Sequence, residues 1–303
     1  MNENEEEKEF NSLADAEELH RYIQNNEINS IVDLICKRSN SERQEIKETY
    51  KSTYGTELDK ELDSKLSGKL KDLILGCLLT PVDFDATEIN KSIKGAGTDE
   101  ELLSETIATK PSRHLLQVKQ RYSELFNETL EKAISGDTSG YYEKILTAVI
   151  QGKRSENPYP NSQKMKEIVE KLNGGENGKI QKDYFVQYFG SCSYGEICTI
   201  CRLYEKTYKE NILEVLKREI GGDTYEFFKM FLHYISDPGA FFAEKIHNFK
   251  DRDLIRILIS RSEVNMDEIR DSYKELYKTD LIEDLKDKTK DEYQLGLTIL
   301  AQK

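Results

Sequence analysis

The chain has 303 residues, 37% of them apolar and 33% charged, with a formal charge of −13, five prolines and no tryptophan. There is enough apolar material for a core of one or two domains, while the acidic balance repels both nucleic acid and anionic lipid, which argues against nucleic-acid binding and leaves membrane binding in need of a basic patch or a bridging divalent cation. No apolar run reaches the roughly 20 residues that cross a bilayer, and the acidic start Met1-Asn2-Glu3-Asn4-Glu5-Glu6-Glu7 is the opposite of a secretion signal, so a cytoplasmic protein is expected.

Residues 1–12 read as a short acidic tail with no apolar pattern. Helical periodicity begins near Leu13 and continues to the end without strand-like alternation, which predicts an all-α chain. A five-position apolar ladder recurs along it: Ile46, Tyr50, Tyr54, Leu58, Leu62; then Val118, Tyr122, Phe126, Leu130, Ile134; then Ile200, Tyr204, Tyr208, Ile212, Leu216; then Ile269, Tyr273, Tyr277, Leu281, Leu285. Steps of four keep most rungs on a slowly drifting helix face, with a break expected after the third rung because Gly55 and Lys278 stand in turn-like contexts. The ladder defines four units of about five helices each, closed by the apolar helices around Leu73, Ile145, Phe227 and Leu295. Thr80 to Asp83, Gly152 to Gln163 and Asp237 to Gly239 read as linkers, the middle one dividing the chain into halves.

The second unit carries Ile93-Lys94-Gly95-Ala96-Gly97-Thr98-Asp99-Glu100-Glu101-Leu102-Leu103 and, roughly forty residues later, Gly136-Asp137-Thr138-Ser139-Gly140. The two glycines let the backbone turn so that successive carbonyls converge. Thr98 is expected to start a helix, with Glu101 completing a capping box. Carbonyl oxygens joined by one carboxylate from a distant turn make a hard-oxygen site suited to Ca²⁺. The plainer alternative is that the glycines make only a helix–helix turn and that Asp137 only caps a helix.

This pairing resembles the second repeat of annexins. The stretches Arg38 to Lys47 and Ser260 to Arg270 resemble the annexin repeat too, so the likeness covers nearly the whole chain after the tail. It implies four homologous repeats of about five helices, at 13–80, 85–152, 164–236 and 239–303 with a linker at 153–163, arranged as a compact, slightly curved disc. It further implies that Ca²⁺ takes the carbonyls of Ile93, Gly95 and Gly97 and a bidentate carboxylate from Asp137. About five protein oxygens would leave one to three of the usual six to eight positions for water or a lipid phosphate. Thr98 and Glu100 would hold a weaker secondary ion, as in some annexin repeats. Asp85, Glu88 and Arg261 match polar positions that line the central channel in annexins.

The ladder register puts Lys65, Glu219 and Lys288 at the position of Asp137 in the other units. A lysine ammonium repels a cation, and Ile23 to Glu27 and Ile246 to Lys250 lack glycine, so the first and fourth sites are expected to be lost. The third keeps Glu219 and the glycine-rich loop Gly174 to Lys179, with Gly175 and Gly178 as candidate loop donors of a loosened site; a flexible turn is the alternative.

Five cysteines without a secretion signal argue against a disulfide framework. Cys192, Cys198 and Cys201 lack a second C-x-x-C or paired histidines, so structural thiols are expected in place of zinc. His20, His114, His233 and His247 fall at unrelated points of the repeats with no nucleophile motif beside them, and no enzyme is expected. The resemblance therefore implies Ca²⁺-dependent binding to anionic phospholipid membranes, peripherally at the inner face or membrane skeleton, with oligomers on the membrane adding avidity. The alternative is a Ca²⁺-independent, cytoskeleton-associated protein of the giardin-like kind, whose metal sites are eroded in the same way. An armadillo-type solenoid fits the repeats but leaves the pairing of loop and turn unexplained.

Overall fold

A computed structural model of the chain describes residues 10–95, 97–157, 159–174 and 179–303. It is helical throughout, with no strand among the described residues. The first repeat contains α1 (Ser12–Asn25), α2 (Ile28–Lys37), α3 (Asn40–Tyr54), α4 (Leu58–Lys65) and α5 (Gly68–Cys77). The second contains α6 (Pro81–Ile93), α7 (Glu100–Ala108), α8 (Ser112–Phe126), α9 (Leu130–Asp137) and α10 (Gly140–Ile150). The third contains α11 (Ser162–Leu172), α12 (Lys182–Ser191), α13 (Tyr194–Tyr208), α14 (Ile212–Glu219) and α15 (Gly222–Ser236). The fourth contains α16 (Pro238–His247), α17 (Asp251–Arg261), α18 (Met266–Tyr277), α19 (Leu281–Lys288) and α20 (Asp291–Leu300).

The ladder breaks after its third rung in every repeat. Its first three positions lie on α3, α8, α13 and α18, which end in left-handed caps at Gly55, Asn127, Lys209 and Lys278; the last two open and line the next short helix. Those caps accommodate the turn because the C′ position takes a positive φ. Rung two is a fully buried tyrosine each time, Tyr50, Tyr122, Tyr204 and Tyr273. Each ring tilts against the aromatic rung above it, Tyr54, Phe126, Tyr208 or Tyr277, at centroid separations of 4.9, 4.8, 5.0 and 4.9 Å. The hydroxyls reach polar partners at the edge of the core: Tyr50 donates to Glu61, Tyr122 to Asn90, Tyr204 to Asn173 and Tyr273 to Asp284.

The chain divides into two compact units, one formed by residues 82–238 and the other by the segments up to Pro81 and from Gly239. Repeats two and three therefore share one unit, and repeats one and four the other. The sequence reading placed the division at Gly152 to Gln163, but that segment lies inside a unit. The reason is Arg154, whose guanidinium donates to the Cys192 carbonyl at 2.7 Å and lies 5.2 and 4.9 Å from the rings of Tyr194 and Phe231. Pro81 and Pro238, read as linker residues, open α6 and α16 instead. Proline suits a first helical position, where its missing N–H would have had no partner.

Candidate metal centre

The site is built from the C-terminus of α6, residues 94–95 and 97–99, the N-terminus of α7 and the end of α9. Ile93 ends α6 with its side chain buried, while Gly95, Gly97 and Asp137 are exposed. Gly95 and Gly97 have φ of +140° and +108°, and a Cβ added at either would meet nothing within 4 Å. Backbone conformation, rather than lack of space, therefore requires glycine at these positions. The loop is closed across its base by the Asp99 N–H, which donates to the Ser92 carbonyl at 2.8 Å.

The structure brings the two distant segments together. Thr98 Oγ1 donates to the main-chain carbonyl of Asp137 at 3.0 Å. The expected Thr98–Glu101 capping box is displaced by one residue: α7 starts at Glu100 with Asp99 as its N-cap, and the Thr98 hydroxyl bonds the turn. Asp99 is the N-cap of α7, its carboxylate accepting from the Leu102 N–H at 2.9 Å. Aspartate is at least as good a cap as threonine and adds negative charge at the positive end of the helix dipole. Glu100 follows at the first helical position, and its carbonyl accepts from Tyr142 Oη at 3.0 Å.

Asp137 forms no salt bridge with a lysine or arginine among the described residues. Burial, reinforced by the charges of Glu128 and Asp137, pushes the Tyr122 hydroxyl up to about 12. Glu128 is paired with Lys94 at 3.4 Å and Lys132 at 3.7 Å, which leaves Asp137 as the carboxylate of this locus outside an ion pair among the described residues. Among the described residues no three carboxylate, imidazole or thiol groups converge, so the donor set is backbone carbonyls plus one exposed carboxylate. Such a set fits a hard cation with open coordination positions and does not fit zinc.

The equivalent positions repeat with structural fidelity. Lys65, Asp137, Glu219 and Lys288 are each the last residue of an eight-residue helix. In the first repeat only Asn26 and Glu27 separate α1 from α2, with Asn26 in a left-handed cap, too short a connection to wrap an ion. In the fourth only residues 248–250 intervene, and the Lys288 ammonium sits 4.1 Å from the centroid of the Phe249 ring and 3.6 Å from Asp284. A cation is thus already built into that locus.

In the third repeat Gly175 and Gly178 lie outside the described residues. Glu219 is mostly buried, with 15% of its side chain exposed, and its Oε2 accepts from the Ile180 N–H at 2.8 Å. Lys182 Nζ donates to the Glu219 carbonyl at 2.6 Å, and Arg218 lies 3.5 Å from Oε1. The carboxylate is therefore committed to protein groups in a way that Asp137 is not. Sequence reasoning missed Lys182, although its place at the first position of α12, where Glu100 stands in α7, was available as a signal.

The histidines are drawn into the packing. His20 Nδ1 hydrogen-bonds the Tyr50 hydroxyl at 3.0 Å and stacks on Tyr54; His247 does the same with Tyr273 and Tyr277. Asp85, buried at 3% exposure, accepts from Lys110 Nζ at 2.7 Å and lies 2.6 Å from His114 Nε2. Burial alone would raise its pKa, but the Lys110 ammonium and the His114 contact outweigh it and hold the carboxyl below the usual range. Glu88 is also buried and accepts from Lys91 at 2.8 Å. Arg261 is buried in the other unit, its guanidinium 4.3 Å from the centroid of the Phe242 ring.

Comparison with known proteins gives a consistent picture. The sequence profile described as Annexin matches residues 14–77, 84–149 and 243–300. Annexin A1 of Bos taurus is 33% identical over 302 residues, covering 96% of this chain and 87% of its own length. Among solved structures, annexin III superimposes with a TM-score of 0.93 at 28% identity, covering 98% of this chain and 95% of its own. Calcium-bound annexin (Sm)1 gives a TM-score of 0.83 at 25% identity, covering 97% and 91%.

Proposed function

The chain belongs to the annexin family, and on that premise we propose that it attaches to anionic phospholipid membranes through a Ca²⁺ ion held in repeat II by the carbonyls of Ile93, Gly95 and Gly97 and the carboxylate of Asp137. Annexins in general bind phospholipid in a Ca²⁺-dependent way, and calcium-bound structures occur among the relatives of similar fold. The observation that carries the assignment to repeat II is the hydrogen bond from Thr98 to the Asp137 carbonyl, which unites the glycine loop with the distant turn. The ion supplies positive charge that the acidic chain lacks, and its open positions accept lipid phosphate. No described helix is long and apolar enough to cross a membrane, so attachment through the ion is peripheral.

Repeat III is a secondary site in this reading, and Thr98 and Glu100 a weaker position beside the main one. Catalysis forms no part of the proposal. Sedimentation with phosphatidylserine vesicles tests it: wild type pellets in Ca²⁺ and stays in solution with chelator, while Asp137→Ala stays in solution in both. Equal pelleting in all arms sinks the proposal. The lysines at positions 65 and 288 motivate one alternative, Ca²⁺-independent attachment to cytoskeletal filaments, for which co-sedimentation with filaments in chelator is the test.

A further inference from the structure

The turn that carries Asp137 is tied to the glycine loop at a second point. Tyr142, the third residue of α10, donates its hydroxyl hydrogen to the main-chain carbonyl of Glu100, the first residue of α7, at 3.0 Å. The Ser104 hydroxyl lies 2.8 Å from the same phenol oxygen, and because the phenol hydrogen is committed to Glu100, serine is the donor in that pair. Both side chains are 5% exposed, so the two bonds are largely shielded from solvent. Burial pushes the Tyr142 hydroxyl above its ordinary pKa, and near neutral pH it remains a donor.

The two ties run in opposite senses. Thr98, in the loop, donates to Asp137 in the turn, while Tyr142, beyond the turn, donates to Glu100, beyond the loop; the partners stand 39 and 42 residues apart. One hydrogen bond lets two segments swivel about it, whereas two bonds at different points remove that freedom. Orientation matters here because loop carbonyls and a carboxylate have to converge on one ion at about 2.3–2.6 Å each. The third residue of the closing helix is Leu70, Tyr142, Thr224 and Tyr293 in the four repeats. Leucine has no hydroxyl, and that of threonine stands on Cβ without the reach of a phenol. Tyr293 repeats the arrangement: buried at 3% exposure, it donates to the carbonyl of Asp251, the first residue of α17, at 3.4 Å. That bond belongs to a repeat whose metal locus holds Lys288.

We propose that Tyr142 is a positioning residue for the repeat II ion: its hydroxyl fixes the start of α7, and with it the glycine loop, at the angle from which the loop carbonyls and the Asp137 carboxylate meet one cation. The inference rests on the membrane reading above and adds to it a residue that does not touch the metal. With its hydrogen taken by Glu100 and its ring buried, Tyr142 acts through the loop. Without the phenol oxygen, the start of α7 is free to rock about the Thr98 tie, and the ion has to restore that order when it binds, which lowers its affinity. The set of metal ligands is unchanged, so the site still fills at high Ca²⁺. The same loss at Tyr293 loosens the start of α17, where no ion is held.

The test is a Ca²⁺ titration of pelleting with phosphatidylserine vesicles, run on the full chain as wild type, Tyr142→Phe and Tyr293→Phe, with thermal unfolding of each in chelator. Both substitutions remove one oxygen and keep the ring in place. Tyr142→Phe should raise the half-maximal Ca²⁺ concentration about two- to tenfold, the range set by one net hydrogen bond, and reach the wild-type plateau at saturation. Tyr293→Phe should leave the midpoint where it is, even where it lowers thermal stability by the same amount. The proposal is overturned if Tyr142→Phe keeps the wild-type midpoint, or if the two variants shift it alike. Should Tyr142→Phe fail to fold, Ser104→Ala decides, because it removes the group that orients the phenol: a raised midpoint supports the positioning role and an unchanged one overturns it. Asp137→Ala separates the two possible failures. If it pellets as wild type does, the repeat II site is wrong and the positioning role falls with it; if it stays in solution while Tyr142→Phe is unshifted, the positioning role alone is wrong.

Discussion

The Thr98 hydroxyl donates to the main-chain carbonyl of Asp137 across 3.0 Å although the two residues stand 39 apart in the chain. This one bond sets the distance between the loop that offers carbonyl oxygens and the turn that offers a carboxylate. A net hydrogen bond of this kind contributes about 0.5–1.5 kcal/mol, so Thr98→Val should change global stability little. Its effect should instead appear in the metal requirement: the Ca²⁺ concentration for half-maximal vesicle pelleting should rise about three- to tenfold, since about 1.4 kcal/mol is a factor of ten. A Ca²⁺ titration of pelleting measures this, and an unchanged midpoint would show that the tether does not organise the site.

Repeat III should fill after repeat II. An ion approaching Glu219 has to displace the Ile180 N–H from Oε2 and tolerate the nearby Arg218 guanidinium and Lys182 ammonium. Breaking one charge-assisted bond costs about 1.5–3 kcal/mol, which separates the two affinities by at least about tenfold. Calorimetric Ca²⁺ titration should therefore give the same first binding step in wild type and Glu219→Gln, while Asp137→Ala abolishes it. Loss of the first step in Glu219→Gln would make repeat III the leading site.

Much of this was legible in the sequence because the ladder carries a register. Counting along it placed Lys65, Asp137, Glu219 and Lys288 at one position, and each is the final residue of an eight-residue helix. The break after the third rung was legible for the same reason. What the ladder could not supply was side-chain choice between neighbours. Thr98 and Asp99 are both competent caps, and only the proximity of the Asp137 carbonyl decides that threonine bonds the turn and aspartate caps the helix. The grouping of repeats into units was likewise hidden, because a proline-bearing segment reads as a linker until the contacts of Arg154 with the Cys192 carbonyl and the Phe231 ring are seen.

The Asp85 cluster predicts a definite pH response. Lys110 and His114 hold the Asp85 carboxyl below its ordinary range. Its contribution to stability is thus fully present above the unfolded value of about 3.9 and is lost as pH falls through the lower folded value. Asp85→Asn should destabilise the protein at pH 7 by roughly 3 kcal/mol, the scale for breaking a buried ion pair, and the gap from wild type should close as pH drops below about 4. Thermal unfolding of both proteins from pH 7 to pH 3 reads this directly. A gap that stays constant over that range would assign the loss to packing and not to charge.

The contact between α10 and α12 sets a last constraint, one that bears on fold rather than on metal. A Cβ added at Gly190 would stand 2.7 Å from Ala148 Cβ and 3.4 Å from the Ala148 carbonyl carbon. Neither atom can rotate away, because an alanine side chain has no rotamer to change and a helix backbone has no slack. Gly190→Ala gains helix propensity, worth up to about 1 kcal/mol in favour of the variant, but forcing two packed helices apart costs about 1–3 kcal/mol. The overlap should win, giving a net destabilisation by chemical denaturation, and Ala148→Gly in the same chain should restore part of it by reopening the gap. If Gly190→Ala alone proved as stable as wild type, α10 and α12 would have to move apart freely, and the close packing of these two helices would not be a constraint on the fold.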